Sequence, residues 1–265
     1  MATETTPKVW ADGPYQLITA DKSRPEPDGT QSAAKFMAAE MTIVHNCILR
    51  GVNAIYNQAV NVANKGTKKD KLDFVNFTAQ WGDMIHEHHG MEESTLFPQI
   101  EQMTGVPGLM AANVHEHEQF HSGLSALNAY LDKVKGEAEE LDGVKVRELV
   151  DAFMPVLRDH LDNEIDTLLG LAEYEDKHDW KKWFENISAG IIKAVFSDST
   201  LRNDIFPLTL VLHDKKFEQG VFKTFPPMPW VLHVAVRWLF MNTRKDWWRF
   251  APCDFYSMPK ELPFV

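Results

Sequence analysis

Histidine and glutamate recur four residues apart in the middle of this chain. His89 and Glu93 have this spacing in the segment HEHHGMEESTLFP, and His160 and Glu164 have it in HLDNE. Residues four apart lie on one face of a helix, about one turn from each other. An imidazole and a carboxylate placed in this way can both reach one metal ion, or the carboxylate can bridge two ions.

Three more histidines extend this set. His117 and His121 are four apart in EHEQFH, and His45 stands at a core-phased position of an earlier helical run. Together the set offers five imidazoles and two carboxylates. Two bridged first-row metal ions would use all of them with a solvent bridge and leave one coordination position free. The inventory favours a non-heme dinuclear site that binds a small diatomic molecule.

A single pair of this kind has an ordinary explanation, because exposed histidine and glutamate one turn apart usually form a solvated ion pair. Several pairs in phase with the apolar stripes of their helices are harder to obtain by chance with 11 histidines in 265 residues. Burying these groups without partners would cost several kcal/mol each. A shared cation is the simplest physical explanation.

The choice of carboxylate in the second run is close. Glu92 lies four residues after His88, and Glu93 lies four residues after His89. The phase of the preceding apolar residues favours the pair His89 and Glu93. Three other histidines are expected at the surface or beside the ligands: His86, His88 and His115.

The candidate ligands lie in four runs between about residues 31 and 175, in which apolar residues recur at intervals of three and four. That period is typical of amphipathic helices. Glycine and proline separate the runs, at Gly66, Gly105, Pro107, Gly136 and Gly143. Four helices of roughly 25 to 30 residues joined by short loops predict an all-α, up-down-up-down antiparallel four-helix bundle over residues 31–175.

The two flanks differ from the bundle in composition. Residues 1–30 contain four prolines among polar residues, which predicts an extended N-terminal arm. Residues 176–265 contain six of the eight tryptophans and seven prolines. We expect this part to form an aromatic and proline-rich, partly helical C-terminal cap that packs on the bundle.

Composition also excludes several classes of partner. Lys+Arg 27 against Asp+Glu 38 gives a net charge of −11 without a basic run, so neither nucleic acid nor an anionic membrane is an expected partner. The segment PWVLHVAVRWLF could lie at a membrane interface, but Arg237 is its only basic residue. Cys47 and Cys253 are far apart, and neither a signal peptide nor a membrane span is evident. These features favour a cytoplasmic location.

The ordered histidines and glutamates resemble those of the hemerythrin-like, or HHE cation-binding, domain over about residues 32–175. HHGMEESTLFP and NVHEHEQFHSGL are similar to the second and third helices of that family, and HLDNE to the fourth. The resemblance implies a non-heme diiron centre inside an antiparallel four-helix bundle. The C-terminal part also resembles uncharacterised fungal members of the family.

Carried over by position, the resemblance implies one iron bound by His117, His121 and His160 and a second by His45 and His89. Glu93, Glu164 and a solvent-derived oxygen would bridge the two irons. Respiratory members bridge with an aspartate five residues after the last histidine, whereas Glu164 follows His160 by four. That spacing is similar to the sensing, iron-handling and repair-associated members, and it argues against simple oxygen transport.

Two functions fit these expectations. The first is an oxidase or oxygenase that activates dioxygen for a small organic substrate held between bundle and cap. The aromatic extension of about 90 residues favours it, because a carrier needs only the bundle. The alternative is non-catalytic binding of dioxygen, nitric oxide or iron for sensing or storage, favoured by a ligand set that leaves one open position. The histidine-rich ligand set favours binding or mild oxidation over attack on inert C–H bonds.

Overall fold

The computed structural model describes residues 10–223, 225–226 and 230–265. The first nine residues of the expected arm lie outside this part of the chain. The described residues form helices and connecting segments without a β-strand, so the prediction of an all-α bundle is confirmed.

The first helix is the central element of the fold. α1 (Ala33–Lys65) begins at Ser32, whose hydroxyl accepts a hydrogen bond from the Lys35 amide, and it ends at Gly66. Most of its residues are buried, because bundle helices, the arm and the cap all pack around it. His45 lies near its middle and is completely buried.

The second helical run contains a wide turn at the position of the candidate ligands. α2 (Lys68–Met91) starts with a capping box between Thr67 and Asp70. It continues through a π-helical turn, Glu92–Leu96, into α3 (Phe97–Thr104). Pro98 has no amide hydrogen for an α-helical bond, which accounts for a turn of different width at this point.

The fourth predicted helix is divided in two. α4 (Ala111–Lys135) is continuous, but the next run forms α5 (Gly143–Asp151) and α6 (Met154–Gly170). Pro155 lies in the first turn of α6, where a missing amide hydrogen is tolerated, and it prevents one uninterrupted helix. α1 packs on α2 and α6, and α4 packs on the same two helices, which closes the four-helix arrangement.

The arm is held against α1 by asparagine side chains. Asn46 bonds both backbone groups of Ile18, at 2.8 and 2.9 Å, and Asn53 bonds both of Tyr15, at 2.9 and 2.8 Å. Positions seven apart lie on one helical face. The side chains thus supply the backbone partners that an extended segment lacks.

The C-terminal part contains α7 (Trp180–Ser197), a π-helical turn (Leu201–Ile205), α8 (Phe206–Leu212), α9 (Trp230–Leu239) and α10 (Lys245–Trp248). α7 and α8 pack against α1, and α10 and the π-helical turn pack against α2. Within the described ranges, every helix is too short or too polar to cross a membrane.

Candidate metal centre

Two groups of histidine and glutamate side chains meet in the middle of the bundle. The first group contains His89, Glu92, His117 and His160, and the second contains His45, His88, Glu92 and Glu164. In each group, one potential ligand atom per residue lies within 4.8 Å of the others. Glu92 belongs to both groups, so its carboxylate stands between them.

The structure brings five of the seven sequence-predicted ligands into this cluster: His45, His89, His117, His160 and Glu164. It does not bring Glu93 and His121 there, and it places Glu92 and His88 in the cluster instead. The seven clustered residues are all buried. Their roles as ligands remain predictions, because geometry alone shows proximity.

Helix geometry explains the exchange of Glu93 for Glu92. A step of four residues overshoots a helical turn by about 40°, so repeated steps of four drift off the core face. Ile85, His88 and Glu92 follow the alternating spacing of three and four that stays on that face. The Glu93 side chain is 44% exposed, whereas Glu92 is completely buried. The structure therefore places Glu92, instead of Glu93, in the cluster, and the bridging role stays a prediction.

His121 leaves the cluster for the same reason. The buried stripe of α4 runs through His117, Phe120 and Leu124, again at intervals of three and four. His121 is one residue beyond that stripe and is exposed, with its ring 6.2 Å from that of His86. The structure thus brings His117 into the cluster and leaves His121 at the surface.

A backbone carbonyl fixes the orientation of the His45 ring. Its Nδ1 lies 2.8 Å from the carbonyl oxygen of Leu161. A carbonyl can only accept, so Nδ1 carries the hydrogen and the Nε2 lone pair faces the cluster. Metal-binding histidines are commonly held by such an outer hydrogen bond.

Two carboxylates hold the rings on the other side of the cluster. His117 Nδ1 lies 2.7 Å from Glu93 Oε1, and His160 Nδ1 lies 2.9 Å from Glu116 Oε2. Glu93, expected as a bridge, thus partners a ligand from outside. Sequence reasoning missed Glu116, because it and His160 lie on different helices and no spacing along the chain connects them.

The inward-facing atoms converge at distances that suit shared ions. The Nε2 atoms of His117 and His160 are 3.0 Å apart, and His45 Nε2 is 3.2 Å from Glu164 Oε2. Ligands about 2.0 to 2.2 Å from one ion are separated by about 3 to 3.5 Å. Glu92 directs Oε1 to His88 Nε2 at 3.0 Å and Oε2 to His117 Nε2 at 3.7 Å. One oxygen towards each group is the arrangement of a bridging carboxylate.

Many of these atoms have no hydrogen-bond partner among the described residues. They are Nε2 of His45 and His88, both ring nitrogens of His89, and both carboxylate oxygens of Glu92 and Glu164. Leaving buried polar atoms unsatisfied costs about 1 to 3 kcal/mol each, and more for charged groups. Metal ions bound between them would satisfy the carboxylate oxygens and one nitrogen of each ring, so the residues present fit a dinuclear centre.

The protonation of the cluster agrees with this fit. Burial lowers the pKa of His88 to about 4 and that of His160 to about 3, so both rings are neutral, as metal binding requires. Burial, followed by the nearby Glu164 carboxyl, raises the pKa of Glu92 well above its usual range. A cation at the site would reverse that shift and favour the carboxylate form.

A cavity of about 320 Å³ lies beside the second group, between α1 and α2 on one side and α7 and α8 on the other. His88 forms part of its wall. Its other walls are mostly apolar and include Met41, Met84, Phe184 and Phe206. The cavity thus extends from the histidine cluster to the inner surface of the cap.

The family model described as the hemerythrin HHE cation-binding domain matches residues 37–172, more than half of the chain. The chain belongs to this family. The resemblance inferred from the sequence is therefore confirmed, and the histidine and glutamate cluster of this HHE protein is able to hold a metal.

Similarity to a relative extends beyond the bundle. The HHE protein is 33% identical over 267 residues to the dimeric xanthone biosynthesis cluster protein R11 of Cryptosporiopsis sp. (strain 8999). The alignment covers 99% of this chain and 96% of that protein, so arm and cap are included. No solved structure matches the chain at a significant level.

Proposed function

We propose that this HHE protein is a non-heme diiron protein that binds dioxygen and oxidises a small organic substrate in the cavity between bundle and cap. One observation carries the proposal: His88 belongs to the metal cluster and also to the cavity wall. A molecule in the cavity would therefore lie against the second ligand group. A store or carrier has no need of such a cavity.

The ligand chemistry supports iron. The cluster combines neutral imidazoles with carboxylates, a set that suits non-heme iron among other first-row ions, and it contains no thiolate. One ion would be held by His89, His117, His160 and Glu92, and the other by His45, His88, Glu92 and Glu164. A bound iron pair supplies a centre at which dioxygen accepts electrons from the organic substrate.

The two ligand groups have different neighbouring residues. His117 and His160 are oriented by Glu93 and Glu116. The His117 ring also stacks on Phe97, with ring centroids 5.8 Å apart. These contacts orient two of the three histidines of the first group from outside, whereas the second group faces the cavity through His88. We therefore assign substrate access to the second group.

The relative supports a biosynthetic role. Its printed name assigns that protein to a cluster for dimeric xanthone biosynthesis, and the two chains align over nearly their whole lengths. For this chain we propose only the same general role, which is the processing of a small molecule in a biosynthetic pathway. An oxidation by dioxygen is consistent with such a role.

A stopped-flow experiment tests the proposal. Anaerobically reduced, iron-loaded protein is mixed with dioxygen in the presence of phenol, 2-naphthol or 2-anthrol, and the absorption change is followed. We expect the absorption change produced by dioxygen to decay faster when at least one of these compounds is present. That compound should then be recovered as an oxidised product. An absorption change that reverses under vacuum and decays at the same rate with and without these compounds would instead support reversible binding of dioxygen.

Two matched variants connect the result to the cavity. Ser188 lines the cavity from α7, whereas the adjacent Ala189 is exposed and does not line it. Ser188→Trp should fill the cavity and abolish the effect of the added compound, with metal content unchanged. Ala189→Trp should behave as the wild type, and an equal loss in both variants would contradict a role for the cavity.

A further inference from the structure

We infer that the cavity between bundle and cap binds a neutral, planar phenol, whose hydroxyl donates a hydrogen bond to the Glu40 carboxyl while its rings lie against His88. This inference deepens the proposed function and rests on it for the fate of the bound molecule. The binding step itself depends on the polar groups, the charge and the shape of the cavity.

Glu40 contributes a carboxyl to the cavity wall that has no hydrogen-bond or ion-pair partner among the described residues, as is also true of the exposed Glu87 and of the Ser188 hydroxyl. The hydroxyl of Thr209 already donates to the Ile205 carbonyl at 3.0 Å, and His88 Nε2 is directed to the metal cluster rather than to the cavity, with Glu92 Oε1 3.0 Å away. Glu40 is half-buried on α1, and no described residue makes an ion pair or side-chain hydrogen bond with it. A ligand hydroxyl would supply the missing partner.

The charge around the cavity selects against anions. No lysine or arginine occurs among its described lining residues, while Glu40 and Glu87 both contribute to the walls. A carboxylate or phosphate ligand would lose its hydration without gaining a counter-charge. Glu87 is exposed, so the buried part of the cavity contains only the single carboxyl of Glu40.

The same surroundings disfavour a charged amine. Burial raises the pKa of the Glu40 carboxyl to about 7, because loss of hydration disfavours its charged form. A cationic ligand would face apolar walls on most of its surface. A neutral hydroxyl can satisfy the carboxyl in either protonation state, since it can both donate and accept.

The shape and lining favour flat rings. Three methionines, Met41, Met84 and Met91, and the rings of Phe184 and Phe206 line the cavity. Thioethers adapt to the faces and edges of aromatic rings, and aromatic side chains stack on them. A volume of about 320 Å³ is at the lower end for small-molecule sites, which limits the ligand to a few fused rings.

Glu40 and His88 line the cavity from different helices, α1 and α2. Glu40 precedes His45 on α1 by five residues, or about 7.5 Å along the helix. Five residues also turn the helix by about 140°, so Glu40 and His45 face different sides of α1, and His88 rather than His45 reaches the cavity. A phenol held at Glu40 by its hydroxyl would lie with its rings against His88. Ring carbons, rather than the hydroxyl, would then face the second ligand group.

Calorimetric titration of the metal-loaded full-length protein at pH 8, where the Glu40 carboxyl is mostly ionised and can only accept a hydrogen bond, tests this inference with four probes of similar shape. We expect 2-naphthol to bind with one molecule per chain. We expect 2-methoxynaphthalene, which lacks the hydroxyl hydrogen, and 2-naphthoate, which is an anion, to bind at least about tenfold more weakly. Equal affinity for 2-naphthol and 2-methoxynaphthalene would overturn the inference, and so would tighter binding of the naphthoate or of 2-naphthylmethylamine.

Variants test the residue. Glu40→Met should weaken 2-naphthol binding about tenfold and leave 2-methoxynaphthalene binding unchanged. Glu185→Met, at an exposed glutamate of α7 outside the cavity lining, should leave both unchanged. Loss of both ligands in Glu40→Met together with unchanged metal content and thermal stability would also contradict a specific hydroxyl contact.

The outcomes separate this inference from the proposed function. Selective, Glu40-dependent binding of 2-naphthol without any effect on the reaction with dioxygen would refute the oxidase and retain the binding site. Oxidation of a phenol with a KM that Glu40→Met does not change would retain the oxidase and refute the role of Glu40.

Discussion

The two ligand groups that meet at Glu92 have different surroundings. In the first, His117 and His160 are each fixed from outside by a carboxylate, and the phenyl ring of Phe97 packs on His117. In the second, His45 is fixed by a backbone carbonyl, and His88 forms part of a cavity wall. In the proposed dinuclear centre, the first position would enclose its metal ion in protein, and the second would expose its ion to the cavity.

The largest expected effect comes from removing the ligand at the exposed position. His88→Ala should remove the second metal ion and lower substrate-dependent oxygen uptake by about 100-fold or more, because several kcal/mol of metal assistance is lost. His86→Ala, at an exposed histidine two residues away, should have no effect. Metal analysis and an oxygen electrode measure both quantities, and equal behaviour of the two variants would contradict the assignment of His88.

Removal of the metal ions from the two ligand groups should lower the free energy of unfolding of the protein. Ions present at 100 times their Kd stabilise the folded state by about 2.7 kcal/mol each. We expect a chelator to lower the urea midpoint of the wild type clearly, and to lower that of His88→Ala by about half as much. A midpoint indifferent to the chelator would show that the cluster does not need a cation.

A substitution beside the first ligand group should have a smaller effect, which is a loss of metal affinity at that group alone. Glu116→Gln removes the carboxylate that orients His160, and loss of such an outer partner typically costs about 10- to 100-fold in metal affinity. We expect one ion to be bound more weakly and the other to be unaffected in a competition titration with a chelator. Glu118→Gln, at an exposed glutamate on the same helix, provides the control.

The smallest effect concerns the cavity and depends on pH. Because burial raises the pKa of Glu40 to about 7, the folded state holds this proton more tightly than the unfolded chain does. The stability of the wild type relative to Glu40→Gln should therefore fall as pH rises from about 4.5 to 7, by about 1 to 2 kcal/mol. Glu87 and His88 also face the cavity and are present in both proteins, so the difference reports Glu40. Urea unfolding at pH 5 and pH 8 measures it, and a difference independent of pH would contradict burial of the carboxyl.

The fold was predictable because the apolar period persists over most of the bundle. The breaks at Gly66 and Gly105 are the observed ends of α1 and α3. The division between α5 and α6 was not predicted, although Pro155 is a local signal for it. The π-helical turn at Glu92 was also missed, because the pattern was extended with a single helical period.

The site was predictable in part for the same reason. His45, His117, His160 and Glu164 lie in stripes of apolar residues whose phase is clear along each helix. The candidates on α2 were harder to distinguish. The buried face had to be extrapolated over several helical turns, and the alternatives, His88 with Glu92 and His89 with Glu93, differ by one residue. The contact between Glu116 and His160, and the cavity beside His88, arise from packing between helices, for which the sequence gives no spacing rule.

The central claim is that Glu92 lies between two metal ions, and the metal content of matched variants tests it most directly. Wild type, Glu92→Gln and Glu93→Gln are loaded with ferrous iron without oxygen, desalted and analysed for iron per chain. We predict about two ions in the wild type, two in Glu93→Gln with one of them bound more weakly because His117 loses its outer carboxylate, and about one or none in Glu92→Gln. One ion or fewer in the wild type, or two in Glu92→Gln, would contradict the dinuclear centre bridged by Glu92.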